Sequence, residues 1–171
     1  MDDWTKSLSP AARQLLELLE AEEIPRATFF DSFAAFGDES KNELVRRIAS
    51  ILEPPPSGQL LARLKFIRTG DNEADLTVAY LVNLRSPNPE SRAASLYGLR
   101  ELEHPALEGF ALNALRDEAD PVVAAASDIL LPHAQQDTRI GELLSEFYRM
   151  HQEDPAFYTT ISLLKARGIN A

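Results

Sequence analysis

Hydrophobic residues recur along the chain at spacings of three and four, the pattern of helices that each bury one face. The clearest rows are Leu15, Leu16, Leu18 and Leu19; Leu60, Leu61, Leu64 and Ile67; Leu76, Tyr80 and Leu84; and Leu107, Leu112 and Leu115. No run of four to eight residues alternates apolar and polar positions with β-branched enrichment, so we predict no sheet. The pattern predicts an all-α fold of about ten helices, each of roughly 10 to 14 residues.

Several helix starts are marked by proline after a capping residue, at Ser9-Pro10, Asn88-Pro89, Asp120-Pro121 and Asp154-Pro155. Proline loses no hydrogen bond at the first helical position, and the preceding side chain can accept a bond from a free helix N–H. The segment from Ser40 to Glu43 has the spacing of a capping box and precedes another amphipathic row. The sequence therefore predicts five helix starts at these places.

A proline-rich segment over 53–58 is the one conspicuous linker in the sequence. Three consecutive prolines exclude helix and favour an extended polyproline conformation. We interpret the segment as a stiff turn between packed helices, with recognition by an SH3-like partner as the weaker alternative. It is also the one place where a boundary between subdomains is predicted.

An internal repeat covers the middle of the chain. At an offset of 32 residues, Pro89 aligns with Pro121, and Ala93-Ala94-Ser95 aligns with Ala125-Ala126-Ser127. At an offset of 31, Leu84-Arg85 aligns with Leu115-Arg116. A period of this length with two helices per copy is typical of an α-solenoid, in which helix pairs stack on their neighbours. Small residues, including Gly98 and Gly109, are expected to let adjacent helices approach closely.

The segments 86–94 and 117–126 resemble the second-helix signature of HEAT-like repeats, an Asp-Pro pair followed by an arginine and alanines. The resemblance implies a right-handed α-solenoid of helix pairs over 57–168, and it is clearest over 75–133. Asn88 replaces the usual aspartate and Ala124 the usual arginine, so the resemblance implies an incomplete ladder of Asp and Arg. We expect residues 1–53 to form an N-terminal helical cap or a separate three-helix unit, and one continuous domain is possible.

Strong catalytic motifs are missing from the sequence. The chain has no cysteine, no phosphate-binding glycine loop, no H-E-x-x-H and no G-x-S-x-G. The nearest candidate is Glu101-x-x-His104, a spacing found in di-iron bundles, but such a site needs a second copy and two more glutamates. We therefore interpret His104 as a helix-end histidine and expect a protein that is not an enzyme and has no metal or cofactor.

The net charge of -10 disfavours nucleic acid and anionic membranes as partners. Acidic side chains outnumber basic ones over 1–56 and 104–171, whereas the two are balanced over 57–103. No stretch is long and apolar enough to span a membrane, and the polar, acidic first ten residues do not resemble a signal peptide. We expect a cytoplasmic protein whose neutral middle is the first place to look for a binding surface.

Two groups of side chains are candidates for contacting a partner. The basic residues Arg63, Arg68, Arg85 and Arg100 could line a concave groove for an acidic peptide or a phosphate, or could compensate helix dipoles. The aromatic residues Phe29, Phe33 and Phe36, together with Phe30, could anchor a partner helix, or could form the core of the N-terminal unit.

Three functions are open at this point. We expect a non-catalytic interaction or scaffold module that holds a protein or peptide on the concave face of a short repeat stack. The resemblance to HEAT-like repeats also implies two alternatives, a subunit of a chromophore-lyase-like enzyme and a domain that binds DNA lesions. The lesion-binding alternative is disfavoured by the acidic charge and by the position of Trp4, the only tryptophan, at the terminus.

Overall fold

A computed structural model describes residues 3–21, 23–50, 60, 63, 64, 67 and 69–169. Every regular element in these ranges is a helix, and no strand occurs in them, which confirms the prediction of an all-α protein without a sheet. No helix in these ranges combines the length and apolar character needed to cross a bilayer. The predicted linker at 53–58, most of the predicted helix over 60–67 and Arg68 lie outside the described residues.

The chain divides into two compact units, Met1–Val82 and Asn83–Ala171. The first unit begins with a short 3-10 helix, Asp3–Ser7, and continues with α1 (Pro10–Glu20), α2 (Arg26–Ala34), α3 (Asp38–Ala49) and α4 (Asn72–Asn83), whose last residue belongs to the second unit. α1 packs against α2 and α3. The apolar faces of α1 and α3 are fully buried at Leu15, Leu19, Leu44 and Ile48.

The second unit contains α5 (Pro89–Glu101), α6 (Leu107–Ala114), α7 (Asp120–Leu130), α8 (Thr138–His151), a short 3-10 helix (Pro155–Phe157) and α9 (Tyr158–Ala166). α7 is its central helix, because it packs against α5, α6 and α9. Its valines and alanines are buried almost all round, including Val123, Ala125 and Ala126 at 0% exposure. Small side chains on α7 therefore allow three helices to surround it at once.

Three of the predicted caps are confirmed. The Ser9 side chain accepts a hydrogen bond from the Ala12 N–H at 3.2 Å at the start of α1. Asn88 accepts from the N–H two residues later at 2.9 Å and begins α5. Asp154 accepts in the same way at 2.9 Å, although the element it begins is the 3-10 helix that leads into α9.

Asp120 does not cap the helix it begins, contrary to prediction. α7 starts at Asp120 itself, with Ala119 as the capping residue and no capping side chain. The Asp120 carboxylate instead accepts hydrogen bonds from the backbone N–H groups of Thr159 and Thr160, at 2.8 and 2.9 Å, and from the Thr160 hydroxyl at 2.6 Å. Asp120 thus caps the N-terminal turn of α9 across the unit.

The predicted capping box at Ser40 is also wrong. α3 begins two residues earlier, at Asp38 after Gly37, and no side chain caps it. Glu43 reaches α1 instead, where its carboxylate accepts from the backbone N–H of Ser9 at 2.7 Å and from the Ser9 hydroxyl at 2.6 Å. The two reciprocal halves of a capping box are therefore present, but the glutamate comes from another helix.

The close-packing role expected of Gly109 is not observed. Gly109 lies exposed within α6, and a Cβ atom built there would meet no other atom within 4 Å. The repeat's small residues that do serve close approach are the buried alanines of α5 and α7, such as Ala93 and Ala125.

Candidate interaction groove in the second unit

A groove with a volume of about 730 Å³ runs along α8 on the surface of the second unit. From α6 and the turn after it, the groove is lined by Leu112, Asn113, Leu115, Arg116 and Asp117. From α8 and the following 3-10 helix, it is lined by Arg139, Leu143, Glu146, Phe147, Met150, His151 and Phe157. A cleft of this size with a mostly apolar lining is typical of binding sites.

The helical period of α8 places its groove residues on one face. Arg139, Leu143, Phe147 and Met150 recur at spacings of four, four and three residues, so their side chains follow one stripe of the helix. A second apolar stripe contains Ile140 and Leu144, which are fully buried in the core. α8 therefore has more apolar surface than its own unit covers, and the surplus faces the groove.

Two of the most exposed apolar side chains in the described part of the chain lie in this groove. Leu143 is 39% exposed and Met150 is 70% exposed. Leaving such side chains in water is unfavourable at roughly 25 cal/mol per Å² of apolar surface. Together with the half-buried Leu112, Leu115 and Phe147 of the same groove they form an apolar surface bordered by polar side chains, which is the usual mark of a contact surface for a partner.

Aromatic rings stiffen one part of the groove. The ring of Phe147 stacks on that of His151 with 4.5 Å between centroids, and it meets the ring of Phe157 edge-on at 5.3 Å. His151 also contacts Phe157 at 4.7 Å, so the three rings form one cluster. Aromatic pairs in these geometries are each worth about 0.5 to 1.5 kcal/mol beyond burial, which holds this part of the groove in a fixed shape.

The charged side chains of the groove differ in whether they form hydrogen bonds or ion pairs with other residues of the chain. Asp117 is held by Arg92, whose guanidinium donates to both carboxylate oxygens at 2.7 and 2.9 Å. Burial alone would raise the pKa of Asp117, but the Arg92 hydrogen bonds hold that pKa below its ordinary value. The side chains of Arg116, Arg139 and Glu146 form no hydrogen bond or ion pair with any residue that the structure describes. Among the described residues, two cations and one carboxylate without such partners therefore border the groove.

Of the four basic residues expected to bind a partner, two already form hydrogen bonds or ion pairs with other residues of the chain. Arg63 donates to the carbonyl oxygens of Leu19 and Ala21, at 2.9 and 2.7 Å, at the C-terminal end of α1. Arg100 pairs with Asp128 at 3.0 Å. Arg85 is exposed in the turn after α4. None of these residues lines the groove, and Arg68 lies outside the described residues.

The aromatic candidates belong to the first unit and do not form one helical stripe. Phe29 is buried at 6% exposure, stacks on Phe33 at 5.8 Å and lies under the Arg63 guanidinium at 5.3 Å. Phe30 is exposed at 38%. α2 ends at Ala34, so Phe36 lies beyond the helix that carries the other rings. Phe29 thus serves the core, while Phe33 is only partly buried.

Glu101 and His104 do not share a helix face as their spacing suggested. α5 ends at Glu101, and Glu103 adopts a positive φ of 49° that turns the chain away. His104 is buried at 6% exposure, and its Nδ1 accepts a hydrogen bond from the Ala106 N–H at 3.2 Å. This agrees with a helix-end histidine. Within the described residues, no three His, Asp or Glu side chains converge as metal ligands would.

The groove residues carried little signal in the sequence. Leu112 and Leu115 belong to a row that the sequence assigned to a buried face, and Leu143 and Met150 resemble ordinary positions of an amphipathic helix. The sequence pattern that indicates the groove is the wide apolar face of α8, which covers more of the helix surface than packing against one neighbouring helix requires.

Comparisons of the chain with protein-family models, with curated proteins and with solved structures find no match in any of the three. The resemblance to HEAT-like repeats therefore stays a prediction.

Proposed function

We propose that the protein is a non-catalytic interaction module that binds a protein or peptide in the groove along α8. The observation that carries this proposal is the surplus apolar face of α8, with Leu143 and Met150 exposed beside a rigid aromatic cluster. Binding a partner there would remove this apolar surface from water, and hot spots of interfaces are commonly built from such aromatic and apolar anchors.

We further propose that the helices form a short stack of HEAT-like pairs, with α6 and α7 as one pair and α8 and α9 as the next. Three observations support this arrangement. The helices within each pair contact each other, and α7 contacts both α5 and α9 as a central second helix would. The Arg92–Asp117 ion pair joins the first copy of the repeat to the turn that precedes α7 in the second copy. In such a stack the groove lies between the first helices of successive pairs.

The test of the interaction proposal compares two leucine variants of the full chain. Leu143→Asp places a charge in the groove, and Leu76→Asp makes the same change at an exposed leucine of α4 that does not line it. Both leucines are more than a third exposed, at 39% and 45%, so both variants should fold, which far-UV circular dichroism checks.

Proteins retained from an extract of the source cell at low ionic strength are then quantified for each form. We expect the amount of a partner retained by Leu143→Asp to fall at least about tenfold, because burying an unpaired carboxylate in the interface costs several kcal/mol. Leu76→Asp should retain that partner at the wild-type level. Equal retention by all three forms, or no specific retention by any, would overturn the proposal.

The two alternatives, a chromophore-lyase-like subunit and a lesion-binding domain, stay predictions from the repeat alone. The interaction module takes precedence because it is the function to which the groove geometry directly contributes.

A further inference from the structure

We infer that the partner of the groove is an amphipathic helix that carries acidic residues at one end of its apolar face. This inference rests on the proposed function and specifies the chemistry of the partner. It is carried by the charges that border the groove and by the secondary structure available to receive a peptide.

The charges favour an acidic partner. Arg139 lies in the first turn of α8, and Arg116 lies two residues after the end of α6. Both side chains are exposed without a hydrogen-bond or ion-pair partner among the described residues. The carboxylate of Asp117 is already neutralised by Arg92. In a chain of net charge -10, two cations that have no partner in the described part of the chain and lie beside an apolar groove are a local reversal of the overall sign. Acidic side chains on the partner would complement them.

The free carboxylate of Glu146 gives the groove a direction. Glu146 lies nearly two turns after Arg139 along α8, so on this helix the cation borders the start of the groove and the carboxylate borders its middle. A uniformly acidic peptide would meet Glu146 unfavourably. The complementary ligand has its acidic residues at the end beside Arg139 and apolar residues along the rest.

A helix is the ligand form that the surroundings favour. The described residues contain no strand, so there is no sheet edge to which an extended peptide could add. The apolar residues Leu143, Phe147 and Met150 follow one helical stripe over about two turns. An opposing helix presents anchors at i, i+3 or i+4, and i+7, which match a stripe of this length.

The test measures binding of two labelled peptides of about 20 residues, long enough to be helical, to the full chain by fluorescence anisotropy. Both peptides carry leucines at i, i+3, i+4 and i+7. One has three glutamates at its end and the other has three lysines. At low ionic strength we expect the glutamate peptide to bind about tenfold more tightly, and the difference should shrink as salt is added.

Charge-reversed variants assign this preference to the two arginines. Arg116→Glu combined with Arg139→Glu should reverse the preference between the peptides. Arg149→Glu makes the same change on α8 at an exposed residue that does not line the groove, and should leave the preference unchanged. Equal affinities for the two peptides, or equal effects of the three substitutions, would overturn the inference.

The failure of the inference and the failure of the proposed function give different results. If neither peptide binds but Leu143→Asp still loses a retained partner, the groove is an interaction site and the acidic-helix inference is wrong. If sedimentation shows a concentration-dependent dimer that Leu143→Asp abolishes, the occupant is a second copy of the chain, which also overturns the inference. If Leu143→Asp changes neither peptide binding nor partner retention, the proposed function itself fails.

Discussion

Replacing Asp120 with alanine removes the acceptor that holds the start of α9. Three hydrogen bonds of 2.6 to 2.9 Å are lost, two from backbone N–H groups and one from the Thr160 hydroxyl. Loss of an N-cap costs about 1 kcal/mol, and loss of the charge at two helix N-termini costs a few tenths more. Thr160 is fully buried, so its poorly satisfied hydroxyl adds about 1 kcal/mol. We expect a total destabilisation of about 2 to 3 kcal/mol.

Urea unfolding of the full chain, followed by circular dichroism, measures this loss. Amide hydrogen exchange at Thr159 and Thr160 reports it locally, because these two N–H groups lose their acceptor. The matched control is Asp137→Ala. It removes a single local cap, the 2.8 Å hydrogen bond that the Arg139 N–H donates to the Asp137 carboxylate, and should cost about 1 kcal/mol. If Asp120→Ala costs no more than Asp137→Ala, or leaves exchange at Thr159 and Thr160 unchanged, the cap that Asp120 provides for α9 does not stabilise the protein.

The pH dependence of the same site has a defined sign. Burial would raise the pKa of Asp120, but hydrogen bonds from Thr159 and Thr160 hold that pKa below its ordinary value in the folded chain. The stabilisation is therefore complete above the unfolded-state pKa of about 4, and it is lost as the pH falls toward the folded-state value. Asp120→Asn does not titrate. We expect its destabilisation relative to the wild type to be larger at neutral pH than at about pH 3, and a constant difference would contradict the assignment.

Further predictions concern stability at three other places. Ser127→Ala should raise the free energy of unfolding by about 1 kcal/mol, because the buried Ser127 hydroxyl has no hydrogen-bond partner among the described residues. The control is Ser95→Ala, at the equivalent position of the repeat. It loses a 2.7 Å hydrogen bond and should not stabilise the protein. Gly109→Ala should stabilise α6 by about 0.5 to 1 kcal/mol, since the site is open, and Gly70→Ala should destabilise because its φ is +77°. Glu43→Ala should cost about 1 kcal/mol at neutral pH and less in acid, since hydrogen bonds from Ser9 lower the Glu43 pKa. Urea unfolding midpoints compared with the wild type test all three predictions, within each of the two pairs and, for Glu43→Ala, at neutral and acidic pH.

The helical class and several boundaries could be predicted because the signals are local. Ser9 and Asn88 cap their own helices through bonds that span two or three residues, and the neighbouring prolines fix the same starting points. Such contacts depend on residues that are adjacent in sequence, so pattern and composition suffice to find them.

The wrong predictions share a physical cause, since tertiary contacts compete with local ones for the same side chain. The Glu43 carboxylate could accept a hydrogen bond from the first turn of its own helix, but it accepts from Ser9 instead, which is 34 residues away. Asp120 likewise binds the start of a helix 40 residues later. A capping side chain is equally able to satisfy N–H groups of its own helix or of another, and the sequence does not distinguish the two.

The groove could not be predicted for a related reason. Its walls come from Leu112 to Asp117 and from Arg139 to Phe157, which are brought together only by the packing of the second unit. Arg63 and Arg100 were favoured as partner-binding residues by their charge, but the fold directs them to helix-end carbonyls and to Asp128. Which cations remain free depends on where the carboxylates and carbonyls lie in three dimensions.

The most direct test of the interaction groove is site-specific photo-crosslinking in the source cell. A photoreactive phenylalanine analogue is placed at Met150, which is 70% exposed in the groove, or at Tyr158, which is 74% exposed in the same unit but does not line it. We expect a discrete crosslinked partner from position 150 and none from position 158. Crosslinking of the same partner with equal yield from both positions, or from position 158 alone, would contradict it.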